Sequence, residues 1–181
     1  QAKVIAPKKR VAKTAKVMAS KKENELNQKN QFNTIAILDI DNFKEINDSF
    51  GHSIGDETLV LFAQIIRSAL RQEDLFFRYG GEEFVILIKG VELEQAQQVL
   101  ERCRQAIENK RFPQVGNVTV SIGFADLDDN FHPVANLTKA DKALYFIKQN
   151  GRNNVLSYEH LLSQGLLEPV ILKEGAFDFW G

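Results

Sequence analysis

Apolar and polar positions along the chain follow two rhythms that exchange repeatedly. TIAILDI (34–40) is a short, β-branched apolar run, the pattern of a buried strand. From Ser53 to Arg71 the apolar positions are Leu59, Phe62, Ala63, Ile66 and Leu70, which is helical spacing with Ser53 as the cap. LFFRY (75–79) and EFVILIK (83–89) flank Gly80-Gly81 and predict a β-hairpin. Residues 92–110 return to the helical period through Val99, Cys103, Ala106 and Ile107. NVTVSIGFA (117–125) alternates strictly, as a strand with one buried face does. Leu137, Ala140, Leu144 and Ile147 define a helix over 134–149, stopped by Asn150-Gly151. NVLSY (154–158) closes the series as a last short strand.

Residues 7–30 lack Gly and are rich in Ala, Lys, Glu and Gln, which favours helix, whereas the tail from Gly165 has no period. Three segments are expected: a basic helix or linker over 1–30, a folded domain over 31–160 and a C-terminal extension over 161–181. Strands interleaved with helices predict an α/β or α+β sandwich, and a split βαβ unit with an added hairpin fits the order. Its core is expected to be Ile35, Ile37, Leu59, Phe62, Ile66, Val85, Leu87, Val118, Val120, Ile122 and Leu144.

Composition narrows the setting. The 181 residues are 44% hydrophobic and 26% charged, ordinary for a soluble globular chain. The lone Cys103 excludes an intrachain disulfide and predicts a reducing, cytoplasmic location. No apolar run approaches the roughly 20 residues that span a bilayer. Gln1 in place of Met points to a piece of a longer chain, with sensor or other domains in the parent and a membrane anchor compatible with it. The net charge of -1 conceals nine Lys/Arg against two Glu in residues 1–30, so the remainder is acidic. That acidic remainder speaks against a nucleic-acid partner.

The acids carry the candidate chemistry. Asp39 stands at the end of the first apolar run, where burial requires a partner, and a divalent cation is the usual one. If the hairpin pairs beside 34–40, its turn brings Glu82 to the same end of the sheet. Two converging carboxylates beside glycines that let a ligand approach the backbone suit a magnesium–nucleotide site. The plainer alternative is a set of strand-end acids that face water.

Four blocks occur in order: DIDNFKEINDSFGHSIGD (39–56), GGEEF (80–84), VSIGFA (120–125) and ADKALYFIKQNGRN (140–153). Together they resemble the GGDEF-domain diguanylate cyclases, in the GGEEF variant, over about residues 34–157. The resemblance implies an α+β, palm-type fold: a ferredoxin-like βαβ sandwich with a central, mainly antiparallel sheet flanked by helices and an added β-hairpin. It implies condensation of two GTP into cyclic di-GMP, each 3'-hydroxyl attacking the other nucleotide's α-phosphate with loss of pyrophosphate. The cofactor implied is Mg2+ or Mn2+, two per active site, held by Asp39, Glu82 and the Ile40 carbonyl. Asp39 and Glu82, with Glu83 beside the metal and ribose, are the catalytic acids by the same resemblance.

The remaining positions follow by likeness to the family. Asn47 and Asp56 match the guanine-reading pair, and Lys44, Lys148 and Arg152 match contacts to the triphosphate. Phe43 and Ile46 would wall the nucleotide or fill the core, and Gly80 and Gly81 would give it clearance. Arg71 and Asp74, with Arg102 as a further arginine, match an inhibitory site for the product. Because each protomer holds one GTP, a homodimer is implied. The plainer readings are a helix-dipole acid for Asp56, helix-end cations for Lys148 and Arg152, and a structural turn for His52. The segment VIAPKKR departs from the family's usual start. The alternative function is a regulatory module that binds GTP or cyclic di-GMP.

Overall fold

The computed structural model describes residues 32–127 and 133–171. The basic segment over 1–30, His132 and the aromatic end of the tail lie outside them. In chain order the elements are β1 (Phe32–Ile40), α1 (Phe43–Phe50), α2 (His52–Ala69), β2 (Leu75–Gly80), β3 (Glu83–Lys89) and α3 (Leu93–Glu108). There follow β4 (Arg111–Phe112), β5 (Gly116–Asn117), β6 (Val120–Asp126), α4 (Pro133–Gln149), β7 (Val155–Ser157) and α5 (Tyr158–Ser163).

Five strands form one sheet in the order β2-β3-β1-β6-β7. β1 is antiparallel to both β3 and β6, and β2 is antiparallel to β3, while only β7 joins in parallel. The central place of β1 follows from its sequence, since a strand apolar on both faces must be covered on both. Its even positions Ala36, Leu38 and Ile40 pack with Phe62 and Ile66 of α2 and Leu100 and Cys103 of α3. Its odd positions Ile35 and Ile37 pack with Leu137, Ala140 and Leu144 of α4 and Leu161 of α5. The result is a helix–sheet–helix sandwich with a mainly antiparallel sheet, as expected. All eleven core residues named from the sequence are buried.

Three expectations need adjusting. The alternating run 117–125 divides: Asn117 belongs to a small β4–β5 ribbon and the sheet strand starts at Val120. The octapeptide FKEINDSF forms α1, where no helix had been expected, and buries Phe43 and Ile46. The last strand ends at Ser157, whose hydroxyl accepts from the His160 N–H at 3.0 Å and caps α5. Beyond α5 the chain to Val170 folds back, with the Val170 N–H donating to Tyr158 Oη at 2.8 Å. Among the described residues no helix is long and apolar enough to cross a membrane.

Gly123 explains how α4 is seated. A Cβ there would stand 2.2 Å from the Leu144 nitrogen and 2.4 Å from the Ala140 oxygen. Only glycine admits this backbone-to-backbone approach, which seats α4 on β6 and so sets where its C-terminal end lies.

Candidate active site

That helix end meets the acids. In the β1–β3 ladder Asp39 is paired with Glu83, so their side chains share the face covered by α4. The β2–β3 hairpin turns at Gly81-Glu82, one residue later than the glycine pair suggested, with Gly80 still in β2 and a bulge between Arg78 and Gly80. Gly81 has φ +54°, the positive value for which hairpin turns use glycine, and Arg78 Nε donates to its carbonyl at 2.8 Å. The Glu82 carbonyl accepts from the Ile40 N–H at 3.4 Å, which seats the turn beside the last residue of β1. Phe84 anchors the arrangement from below, 5.0 Å from the Phe62 ring and 5.3 Å from the Phe76 ring.

Asp39 is only 4% exposed, and Lys148, from the last turn of α4, places its ammonium 2.5 Å from Oδ2. Burial pushes the Asp39 carboxyl up to about 6; the Lys148 ammonium pulls it down, and Glu82 and Glu83 add to the rise. A buried acid beside two further carboxylates, offset by one cation, is an electrostatically strained cluster of the kind that gathers at functional sites.

The neighbouring acid is differently placed. Asp41 is also buried, yet it accepts from Thr119 Oγ1 and Ser121 Oγ, each at 2.7 Å, and from the Asn153 N–H at 3.1 Å. Asn153 closes the loop after α4, in which Gly151, Arg152 and Asn153 have φ values of 107°, 62° and 45°. Left-handed backbone costs about 1–2 kcal/mol at Arg152, whereas asparagine at 153 adopts it readily. Arg152 is exposed on this loop.

On the other side of β1, Asn42 with φ 54° turns the chain into α1. Phe43 and Ile46 are buried beneath it, while Lys44 is exposed. Asn47 lies against Gly55 of α2, where a Cβ would be 1.9 Å from Asn47 Oδ1 and 3.4 Å from the Phe43 ring. Gly55 therefore lets the Asn47 amide sit flush beside Asp56, the next and exposed residue of α2.

Arg71, Asp74 and Arg102 gather at the opposite end of α2, about 20 Å from Asp56 along the helix. Asp74 is buried and accepts from the Arg71 N–H at 3.0 Å and the Lys89 N–H at 3.3 Å. Arg102 Nη2 donates to the Ala69 carbonyl at 2.8 Å. Arg67, which sequence reasoning did not single out, donates to the carbonyls of Asp74 and Arg71 and holds the turn.

The sequence model of the family described as "Diguanylate cyclase, GGDEF domain" matches residues 14–154. The chain belongs to this family. Among curated relatives, diguanylate cyclase A of Treponema denticola is 41% identical over 136 residues, covering 73% of this chain and 37% of its own length. The response regulator PleD of Caulobacter vibrioides is 43% identical over 126 residues, or 66% of this chain and 28% of its own. The GGDEF chain thus spans well under half the length of the curated relatives it matches. Among solved structures, the active GGEEF domain of a diguanylate cyclase from Vibrio cholerae superposes with TM-score 0.66 at 33% identity, covering 80% of this chain and 90% of that one. The GGDEF domain of DgcB from Caulobacter crescentus, solved in complex with c-di-GMP, gives 0.68 at 30% identity, covering 82% and 87%.

Within this GGDEF domain the donor set suits a hard divalent cation. Asp39 and Glu82 offer carboxylate oxygens, Ile40 a carbonyl, and the Lys148 ammonium at Asp39 marks a place where positive charge is favoured. No group of three or more His, Cys, Asp or Glu side chains among the described residues has metal-holding spacing. Magnesium needs only one or two carboxylates when phosphates complete its sphere. The residues that sequence reasoning left without a role are Asp41, Asn153 and Arg104. Their one advance signal was a second acid two residues after Asp39.

Proposed function

We propose that this GGDEF domain is a diguanylate cyclase, joining two GTP into cyclic di-GMP with release of two pyrophosphates. The observation that carries the reading is the buried Asp39 carboxylate at the end of β1, with the Lys148 ammonium and the hairpin acids Glu82 and Glu83 acting on it. Asp39, Glu82 and the Ile40 carbonyl would hold Mg2+ or Mn2+, two ions per site. Such ions lower the pKa of an attacking hydroxyl and neutralise phosphate charge. Lys148 and Arg152 bind the triphosphate by charge-assisted hydrogen bonds, and Lys44 approaches it from α1. Asp56 accepts from the guanine N1–H and N2–H while the Asn47 amide meets an acceptor on the base. Phe43 walls the site, and Gly80 and Gly81 leave room beside the reacting phosphate. Glu83 lies near the ribose.

Chemically, the 3'-oxygen of one GTP bonds to the α-phosphorus of the other, the bond to the β-phosphate breaks, and the hydroxyl proton is released. Repeating this in the opposite sense closes the ring. Each domain holds one nucleotide, so two copies must face one another and the rate per domain rises with protein concentration. Arg71, Asp74 and Arg102 form the inhibitory site for the product, since guanidinium groups grip phosphate and stack on guanine.

The test is product analysis by chromatography after incubation with GTP and Mg2+. Cyclic di-GMP is expected from the wild type and none from Asp39→Ala or Glu82→Ala. Wild-type protein that binds GTP at high concentration yet forms no product would replace the enzyme with a binding module. Addition of cyclic di-GMP is expected to slow the wild type and to spare Arg71→Ala.

A further inference from the structure

We propose that Asn153, clasped between Asp41 and Arg104, is the positioning residue that holds Arg152 and Lys148 toward the triphosphate. This rests on the reading of the acidic end as a GTP site and assigns a role to residues which that reading does not use.

The argument starts from backbone conformation. Three consecutive residues, Gly151 to Asn153, have positive φ, and Arg152 carries a side chain that disfavours it. Such a segment persists only where its surroundings over-determine it. Here the restraints come from both sides of the loop. From the sheet, Asp41 takes the Asn153 N–H at 3.1 Å while the hydroxyls of Thr119 and Ser121 fix the carboxylate itself. From α3, Arg104 Nη1 donates to Asn153 Oδ1 at 2.7 Å, and Asn153 Nδ2 donates to Glu108 Oε1 at 2.7 Å.

Arg104 is itself immobilised. Its side chain is 12% exposed and bonds Glu101 at 2.7 Å and Glu108 at 2.9 Å. Asparagine suits position 153 twice over. It tolerates left-handed backbone, and its amide both donates and accepts, as a neighbouring arginine and glutamate require.

Arg152 lies immediately before this clasp. Its N–H is tied to the Ile147 carbonyl at 3.0 Å, while its guanidinium has no partner among the described residues. The backbone of Arg152 is thus fixed at both flanks and its side chain left for an anion. Lys148, in the helix turn just before the loop, is aimed by the same restraint. Arg104 and Glu108 touch none of the residues proposed to contact nucleotide, so their effect on GTP must pass through Asn153.

A double-mutant cycle tests this. Asn153→Gly keeps the left-handed backbone and the N–H to Asp41 but removes both side-chain bonds, and Arg104→Gln loosens the clasp from α3. Each is made alone and with Arg152→Ala, and KM for GTP, kcat and thermal stability are measured. Alone, each variant is expected to raise KM about tenfold with kcat changed less than about threefold, and to add nothing beyond about twofold once Arg152 is alanine. Equal KM effects with and without Arg152, or a loss of kcat and stability at unchanged KM, would overturn the proposal and leave the clasp a structural tie. If Asn153→Gly does not fold, the Arg104→Gln cycle decides alone. Wild-type protein that neither binds nor converts GTP would sink the cyclase reading and this inference together, whereas an active wild type with an additive cycle sinks only the inference.

Discussion

Replacing Asp39 with asparagine is expected to make the protein more stable while abolishing its proposed activity. Burial raises the Asp39 carboxyl from 3.8 to about 6 even though Lys148 opposes the rise. Two pKa units and a little more, at 1.36 kcal/mol each, correspond to about 3 kcal/mol of destabilisation at neutral pH. With Asp39 only 4% exposed, solvent relieves little of this. Asparagine has nearly the same shape, can still accept a bond from Lys148 and carries no charge to desolvate. The gap is therefore about 3 kcal/mol in favour of Asp39→Asn at pH 7.5, or roughly 6–12 °C in Tm for a chain of this size.

The pH dependence makes the attribution specific. Between about pH 4 and 6 the folded chain keeps a proton on Asp39 that the unfolded chain has already lost. Wild-type stability from this group is complete below pH 4 and declines as the pH rises through 6. Urea titrations of both proteins in chelator, from pH 3.5 to 7.5, should show a gap that opens across this window and is absent at its acid end. Mg2+ should then narrow the gap at pH 7.5 by stabilising only the wild type. A gap that is missing at pH 7.5, or that has the same size at every pH, would refute the reasoning.

Other substitutions separate scaffold from site. Gly123→Ala drives a Cβ into the backbone of α4 at 2.2 Å and should cost about 3 kcal/mol or more, read by urea unfolding. Gly55→Ala clashes with the end of the Asn47 side chain, which can swing away, and makes ordinary contact with the Phe43 ring. It should lower Tm by under about 3 °C but raise KM for GTP several-fold. Asp74→Ala strands the N–H groups of Arg71 and Lys89 and should cost about 1–3 kcal/mol. Arg71→Ala, at an exposed position, should stay within about 0.5 kcal/mol of wild type, so it is the fit variant for testing product inhibition.

What the sequence reveals depends on how local each feature is. Strands β1, β3 and β6 and helices α2, α3 and α4 are long enough for hydrophobic period to define them, and their core residues follow. α1 and α5, of eight and six residues, are too short for a hydrophobic period to be read with the same force. The hairpin was legible but its register was not. Placing the turn at Gly81-Glu82 puts Glu83, rather than Glu82, directly across from Asp39. The closeness of Asp39 to the hairpin acids was foreseeable from strand order. The ties of Asp41 to Thr119, Ser121 and Asn153 were not, because those residues are 78, 80 and 112 positions away and carry no local motif.

The contrast between these two aspartates is the best physical sign of which one reacts. They sit two residues apart at the end of β1, and both are buried. Asp41 has a hydroxyl on each oxygen and a backbone N–H besides, so its burial is compensated and its geometry fixed. Among the described residues Asp39 has only Lys148, a long side chain that is about one-third exposed. A carboxylate meant only to stabilise the fold would be expected to look like Asp41. One left short of partners, with two further acids and one partly exposed cation beside it, is what the proposed cation site calls for. The fold thus carries its strain at Asp39 and anchors the same strand end two residues later at Asp41, where the ties run to the loop that bears Arg152.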